Sequence, residues 1–287
     1  MPFSLRSKAG NRKQRGAWQQ VSLVAGFLAG RHFVGANDLH YGYWENGVEP
    51  EIRNLPLAQE AYSRFLLEHI PTSAHRILDV GSGAGGLANK LLARGHVVDC
   101  VCPSEFLNQQ AKALFGDRAR LFECKYEDFQ TSETYDAIVF CESFQYVNME
   151  QGLESVTSQL RSGGSLVICD FFRRFKGKNP ISGGHKIEEF REVISRFPLR
   201  LVEDLDITAQ TAPTFTVIDK AFTDVLQPIW EEVDAAFTKT RPWGARFVKW
   251  WFGNKIAKVE TKYFTHERSA ENFTKFKTYR LMRFERQ

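Results

Sequence analysis

Asp79-Val-Gly-Ser-Gly-Ala-Gly-Gly86 sets three alternating glycines behind a single acid, directly after the apolar pair Ile77-Leu78. Glycine lets a chain turn tightly and lets backbone N–H groups approach a ligand with no Cβ in between. A helix starting at such a turn adds free N–H groups of its own. A dinucleotide would lay its pyrophosphate there, and the carboxylate of Asp79 would repel it; a ligand carrying positive charge and no phosphate would be attracted. A second constellation, Asp38-Leu-His-Tyr-Gly-Tyr-Trp44, groups His40 with Tyr41, Tyr43 and Trp44. Aromatic faces attract cations, so such a cluster could meet a cationic ligand; a core aromatic cluster is the alternative. Three groups are candidate proton acceptors: Asp170, His185 behind Ser182-Gly183-Gly184, and His40. Each also reads as a hydrogen-bonded loop residue.

The apolar spacing supplies a frame for these groups. Arg76–Val80, Val97–Cys102, Arg120–Cys124, Tyr135–Cys141 and Ser165–Phe171 read as strands, and Leu87–Arg94, Glu105–Phe115 and Met149–Leu160 as helices. Continuously apolar strands separated by helices predict an α/β fold with a parallel sheet covered on both faces. A helix at Lys186–Arg196 and a sixth strand at Leu199–Thr208 follow. Helical periodicity fills 215–260, broken at Pro228 and Pro242-Trp243-Gly244, before a last strand at Thr278–Phe284. Upstream, residues 57–70 are helical and stop before Pro71, 17–34 are helical, and 1–16 form a basic, mobile tail. The chain thus divides into an N-terminal helical segment with a covering loop (1–70), a core (71–210), a helical cap (211–260) and a return to the core (261–287). Asp79, Glu142 and Asp170 close the first, fourth and fifth strands, and open α/β sheets bind ligands at such carboxyl ends.

Three segments resemble the motifs of class I S-adenosylmethionine (SAM)-dependent methyltransferases. Ile77–Gly86 resembles the first motif, Tyr135-Asp-Ala-Ile-Val-Phe-Cys-Glu142 the fourth-strand motif, and Leu160-Arg-Ser-Gly-Gly-Ser-Leu-Val-Ile168 the turn into the fifth strand. They stand in the family's order and cover about residues 75–172. The resemblance implies a Rossmann-like seven-stranded sheet with the last strand antiparallel, in agreement with the strand read at Thr278–Phe284. It implies SAM as cofactor, at Asp79, Gly81, Gly83, Gly85 and Glu142; the ammonium and sulfonium of SAM account for the acid. Asp38–Trp44 resembles the covering element of small-molecule methyltransferases, among them tocopherol-type C-methyltransferases and antibiotic-pathway sugar O-methyltransferases, which places Tyr41 and Trp44 over SAM. The family's ribose-binding acid after strand two is replaced by Cys102, and a thiol is a poor acceptor. Cys102 still belongs against the ribose, with Ser104, Glu105 or a water as the substituting acceptor. Adenine belongs beside Tyr126-Glu127-Asp128-Phe129, with Glu127 and Asp128 as contacts. His185 matches a histidine in a similar loop of some relatives. Gln145-Tyr146 stands where some carry a histidine pair, which excludes a catalytic histidine there.

The 287 residues are 43% hydrophobic and 25% charged, the make-up of an ordinary folded chain. A net charge of +4 is too small for a nucleic-acid partner; the basic runs at Arg6–Arg15 and Arg173–Lys178 read as a solvated tail and loop. Five cysteines (Cys100, Cys102, Cys124, Cys141, Cys169) lie in apolar runs without a CxxC pair. They read as reduced, buried thiols in a cytoplasmic protein, with no metal site. No apolar run reaches the roughly 18 residues of a membrane span. Val21–Gly30 reads as a buried helix, with contact to a membrane surface as the alternative.

Methyl transfer requires acceptor, methyl and sulfur in line, with water excluded. The aromatic residues of 211–260, among them Phe215, Trp230, Trp243 and Trp250, predict a small, largely apolar acceptor methylated on oxygen or carbon. A homodimer interface is the alternative use of such a surface. Two further readings stand beside this one. A lipid-modifying relative of the cyclopropane fatty-acid synthases is supported by Gly85-Gly86-Leu87-Ala88 and Tyr126–Phe129, against the absence of that group's N-terminal cysteine. A SAM-binding scaffold without catalysis is supported by Cys102.

Overall fold

The computed structural model describes residues 21–287 apart from 22, 176 and 178; the basic tail and the start of the helix read at 17–34 lie outside them. Seven strands form one sheet in the order β3-β2-β1-β4-β5-β7-β6. They are β1 Arg76–Val80, β2 Val97–Val101, β3 Arg120–Phe122, β4 Tyr135–Cys141, β5 Leu160–Arg173, β6 Leu199–Asp206 and β7 Lys277–Arg286. Strands β1 to β5 pair in parallel, and β7 runs antiparallel between β5 and β6. This is the Rossmann-like sheet with an antiparallel last strand that the motifs imply.

Both faces of the central strands are buried, which is why their sequences run apolar without alternation. On one face Ile77, Val98, Val139 and Val167 pack under α1 (Leu55–Glu68), α2 (Gly86–Ala93) and α3 (Glu105–Phe115), through Tyr62, Leu66, Leu91 and Phe115. On the other, Leu78, Ile138 and Leu166 pack under α4 (Met149–Gln159) and α5 (Ile187–Ile194), through Leu153, Val156 and Phe190. Side-chain caps fix where helices start: Ser104 Oγ accepts from Leu107 N–H at 3.4 Å, and Asn148 Oδ1 from Gln151 N–H at 3.2 Å. Strand β5 begins earlier than its apolar run, because Leu160 pairs with Tyr135 across a register shift before Ala137 meets Ser165. Gly163, at φ 74°, absorbs the irregularity.

Between β6 and β7 lie a single helical turn, Thr208–Thr211, and four longer helices: α6 Pro213–Lys220, α7 Gln227–Thr240, α8 Pro242–Phe264 and α9 Ala270–Phe276. The breaks expected at Pro228 and Pro242 are present, and the prolines open the helices that follow them. Pro213, Pro228 and Pro242 each stand in a first turn, where a missing N–H is harmless. A π-helical turn, Ala221–Leu226, joins α6 to α7. Here the structure corrects the sequence reading. Of the aromatic residues expected to enclose an acceptor, Phe215 is buried against the core, whereas Trp230, Phe237, Trp243, Phe247, Trp250 and Trp251 are exposed. Helical spacing shows that residues share a stripe, not whether the stripe faces core or solvent. No helix among the described residues is long and apolar enough to cross a membrane.

At the sheet edge opposite the glycine turn, Asp99 is buried and receives Arg120 Nε at 2.7 Å, Arg120 Nη2 at 2.5 Å and Tyr135 OH at 2.9 Å. Burial alone would raise its pKa, but the bonds from Arg120 and Tyr135 outweigh it and hold the carboxyl below its ordinary value. The stabilisation is therefore present above the unfolded-state carboxylate range and is lost as pH falls through the depressed folded value. Asp99→Asn is expected to cost about 1.5–3 kcal/mol at pH 7, because it removes the charged hydrogen bonds that the buried carboxylate accepts from half-exposed Arg120. Urea unfolding measures this; a loss below about 0.5 kcal/mol would show that the cluster is solvated.

Candidate functional site

The strand order reverses between β1 and β4, and the crevice beyond their carboxyl ends is the natural ligand site of such a sheet. Two turns wall it. The turn after β1 holds Gly81, Gly83 and Gly85 at φ 77°, 56° and 85°. Gly81 touches the turn after β4 so closely that a Cβ on it would overlap Ser143 Cβ, and a Cβ on Gly86 would overlap Asp38 Oδ1. Gly81 N–H and Ser82 N–H both point at Val101 O, at 2.7 and 3.4 Å, which fixes the turn against β2.

Asp79 is buried beneath this turn, and its Oδ2 has no hydrogen-bond partner among the described residues; Ser82 Oγ is buried and unpartnered as well. Burial pushes the Asp79 carboxyl up to about 7. Buried polar atoms are ordinarily satisfied, so two orphans beside a glycine cradle fit a ligand that brings its own donors and positive charge. Across the crevice Glu142 adopts a left-handed φ of 52°, which side chains other than glycine rarely take. Its Oε1 accepts from Tyr41 N–H at 2.6 Å and from Tyr279 OH at 2.7 Å. Burial raises its pKa, opposed by nearby His40 and by these two donors.

The covering element lies on this carboxylate. The Tyr41 ring stacks on Phe171 at 5.9 Å and meets Phe215, Phe273 and Tyr279 at 5.2–6.1 Å. His40 stacks on Tyr62 at 4.4 Å. Its Nδ1 lies 2.8 Å from the Tyr41 carbonyl, which can only accept, so Nδ1 carries a proton; Nε2 is 3.6 Å from Asp38 Oδ2. Burial pulls the imidazole pKa down, but the bond and charge of Asp38, with Glu142 behind, outweigh it and raise the value. His40 thus lies between the carboxyl groups of Asp38 and Glu142. Trp44 sits apart from the glycine turn: it is buried against Ala58 and Val217, and its Nε1 donates to Thr214 Oγ1 at 2.9 Å, fastening the element to α6.

Cys102 is buried against Phe27 and Leu107, with Leu39 and Ala84 beside it. Burial raises its thiol, although the N–H groups of Ser104 and Gly83 face the sulfur and act the other way. The Ser104 hydroxyl is spent on the helix cap, and Glu105 is exposed. Asn108, which the motifs do not point to, donates its Nδ2 to Cys102 O at 3.0 Å and keeps a buried, unpartnered Oδ1. Glu127 accepts from Asn148 N–H at 2.9 Å, and Asp128 is exposed.

Comparison with known proteins matches residues 77–164, the stretch that carries both turns, to a family model described as a methyltransferase domain. That stretch is a methyltransferase domain, similar in its motifs and its sheet to the class I SAM-dependent methyltransferases. Methyltransferase GfsG of Streptomyces halstedii is 28% identical over 239 residues, covering 74% of this chain and 82% of GfsG. Among solved structures, geranyl diphosphate C-methyltransferase from Streptomyces coelicolor A3(2) superposes with TM-score 0.64 at 16% identity, over 90% of this chain and 93% of that one. The [4+2]-cyclase SpnF superposes with TM-score 0.66 at 16% identity, over 93% and 94%. These two likenesses are of fold. The unpartnered Asp79 Oδ2 and the glycine cradle fit SAM, the cofactor of this family.

The methyltransferase places its three proton-acceptor candidates differently. Asp170, buried within β5, which runs on to Arg173, accepts from Gln145 N–H at 2.9 Å, Gln145 Nε2 at 3.2 Å and its neighbour Phe171 N–H at 2.8 Å, and so braces the turn that carries Glu142. Burial carries its pKa up to about 8 against these donors. His185 Nε2 lies 3.0 Å from both the Phe144 and Val147 carbonyls, so that nitrogen carries the proton; burial lowers its pKa and keeps the ring neutral. His40 lies with the covering element. Lys277 went unread in the sequence, since a lysine opening a strand carries no signal of burial. It is buried, donates to Gly183 O at 2.5 Å and stands 5.1 Å over the Phe171 ring.

Proposed function

We propose that the methyltransferase transfers the methyl group of SAM to an oxygen or carbon of a small, largely apolar acceptor. The observation that carries this reading is the aromatic wall of Tyr41, Phe171, Phe215, Phe273 and Tyr279 beside Glu142, at the carboxyl edge of the sheet. Packed together in the core, these rings exclude water beside Glu142, and an acceptor seated there would meet dispersion contact and few hydrogen bonds. The names of two proteins compared above agree in kind, one being a C-methyltransferase of geranyl diphosphate and the other a Streptomyces methyltransferase.

Residue roles follow. Asp79 and Glu142 take the methionine end of SAM, with Gly81, Gly83 and Gly85 allowing the backbone to approach. Cys102 lines the ribose, and Asn108 Oδ1 supplies the acceptor that the thiol lacks. Asp128 is the free acid toward adenine, Glu127 being tied to Asn148. Tyr41 covers the cofactor, and Trp44 anchors that cover to α6. SAM, when bound, supplies the electrophilic methyl group. The chain aligns the partners, excludes water and removes a proton from the acceptor where it has one. Asp170 is assigned that proton, because a carboxyl raised to about 8 is close to the operating range of a general base. His40 is assigned to hold the covering element, not to act as base.

The test offers methyl-labelled SAM with phenols, polyketide-like enols and prenyl compounds on one side and free sugars or peptides on the other. Label is expected in the first group; transfer confined to sugars or peptides would sink the acceptor reading. Asp170→Asn is expected to lower kcat about 100-fold or more while leaving the Kd for SAM within about twofold. An equal loss in both quantities would show that Asp170 only braces the turn.

A further inference from the structure

Helix α8 carries aromatic side chains that nothing among the described residues covers. Trp243, Phe247, Trp250 and Trp251 are 82, 58, 76 and 63% exposed. They follow the i, i+4, i+7, i+8 spacing of one helix face, and the rings of Phe247, Trp250 and Trp251 lie 5.7–6.2 Å apart. Isolated exposed apolar residues are ordinary, but a contiguous aromatic patch marks contact with something outside the fold. The patch extends about 12 Å along the helix.

The helix itself is strongly basic. Residues 239–262 hold seven Lys and Arg against a single acid, Glu260. Glu260 is turned to Trp230 Nε1 at 3.0 Å, and Lys249 is paired with Asp234 at 2.7 Å. Arg246, Lys255 and Lys258 are exposed, and no ion pair among the described residues holds them. Lys258, eleven residues beyond Phe247, returns to the aromatic face of the helix. A second copy of this chain would have to meet these cations with its own basic patch or with acids placed elsewhere. A bilayer with anionic headgroups meets both properties at once: tryptophan settles at the apolar–polar boundary, and lysine and arginine reach the phosphates.

We propose that α8 docks the methyltransferase on the surface of an anionic lipid bilayer, with Trp243, Phe247, Trp250 and Trp251 at headgroup level and Arg246, Lys255 and Lys258 against lipid phosphates. The inference goes beyond the acceptor reading and stands whichever acceptor is methylated. The helix lies along the surface and does not span it, as its charge content requires.

Co-sedimentation of the full chain with vesicles tests this, using phosphatidylcholine alone and phosphatidylcholine with roughly 30% phosphatidylglycerol, a charge density that attracts basic surfaces. Binding to the anionic vesicles is expected to exceed binding to the neutral ones about tenfold, with a blue shift of tryptophan emission. Trp250→Ser with Trp251→Ser, and separately Arg246→Glu with Lys258→Glu, are expected to remove that excess while SAM affinity and thermal midpoint stay as in wild type. The basic N-terminal run is retained in every variant, so the loss reports on α8. Wild-type binding that the Trp pair leaves unchanged would overturn the proposal. So would a dimer in sedimentation velocity that the Trp pair abolishes, with no vesicle binding; that result would assign the patch to a second copy.

Discussion

Asp79→Asn is expected to weaken SAM binding about 100-fold or more while leaving the unliganded protein as stable as wild type or more so. The two effects share one cause. A buried carboxylate with an unpartnered oxygen is costly in the empty fold, and the same charge is what the cofactor's ammonium requires; a charged hydrogen bond is worth about 1.5–3 kcal/mol. The pH dependence has a definite sign. With a folded-state pKa of about 7 against an ordinary 3.8, Asp79 favours folding in its protonated form, so its contribution to stability declines as pH rises from the unfolded value through the folded one and is flat above. Cofactor binding goes the opposite way. It needs the ionised form, so Kd for SAM is expected to weaken about tenfold per unit as pH falls below 7, and this slope should vanish in Asp79→Asn. Calorimetry across pH 5.5–8 measures both. A wild-type Kd independent of pH would remove Asp79 from the cofactor contact.

Gly81→Ala is the second large effect, expected at about 3 kcal/mol of stability with loss of cofactor binding. About 1 kcal/mol comes from holding a Cβ-bearing residue at φ 77°. The rest comes from overlap with Ser143 Cβ, a neighbour fixed to backbone that cannot swing away. The two parts separate in a double-mutant cycle. Ser143→Gly should recover the overlap and leave the φ penalty, giving a coupling of about 1–2 kcal/mol by urea unfolding. A single-variant loss below about 0.5 kcal/mol would mean that the turns after β1 and β4 do not meet.

What could be read in advance was whatever local sequence decides. The apolar runs of β1, β2, β4 and β5, and the glycines that must follow β1, state their structure within a few residues. The motifs added the antiparallel β7, which its own alternation could not orient. Features that depend on distant partners stayed hidden. Trp44 looks like a cofactor cover until Thr214, 170 positions away, claims its indole N–H. His40 reads as a base until Asp38 and Glu142 are seen around it. Asn108 and Lys277 sit at positions whose burial no periodicity reveals. The aromatic stripe of α8 was legible as a stripe, and its direction was not.

The bond from Tyr279 to Glu142 joins the latest strand in the sequence to the fourth, and Glu142 in turn holds Tyr41. Because β7 inserts between β5 and β6, a chain emerging from the ribosome has already made both neighbours before the strand that separates them exists. Until residue 279 is out, β5 and β6 each offer an open edge, Glu142 lacks one donor, and the cover has little to close upon. Contacts of such long sequence separation form late, and open edges invite mispairing in the interval. On the proposed roles of Tyr41 and Glu142, the sheet and the cofactor site are therefore completed by the same strand, and a chain lacking β7 is expected to leave Glu142 without its Tyr279 donor.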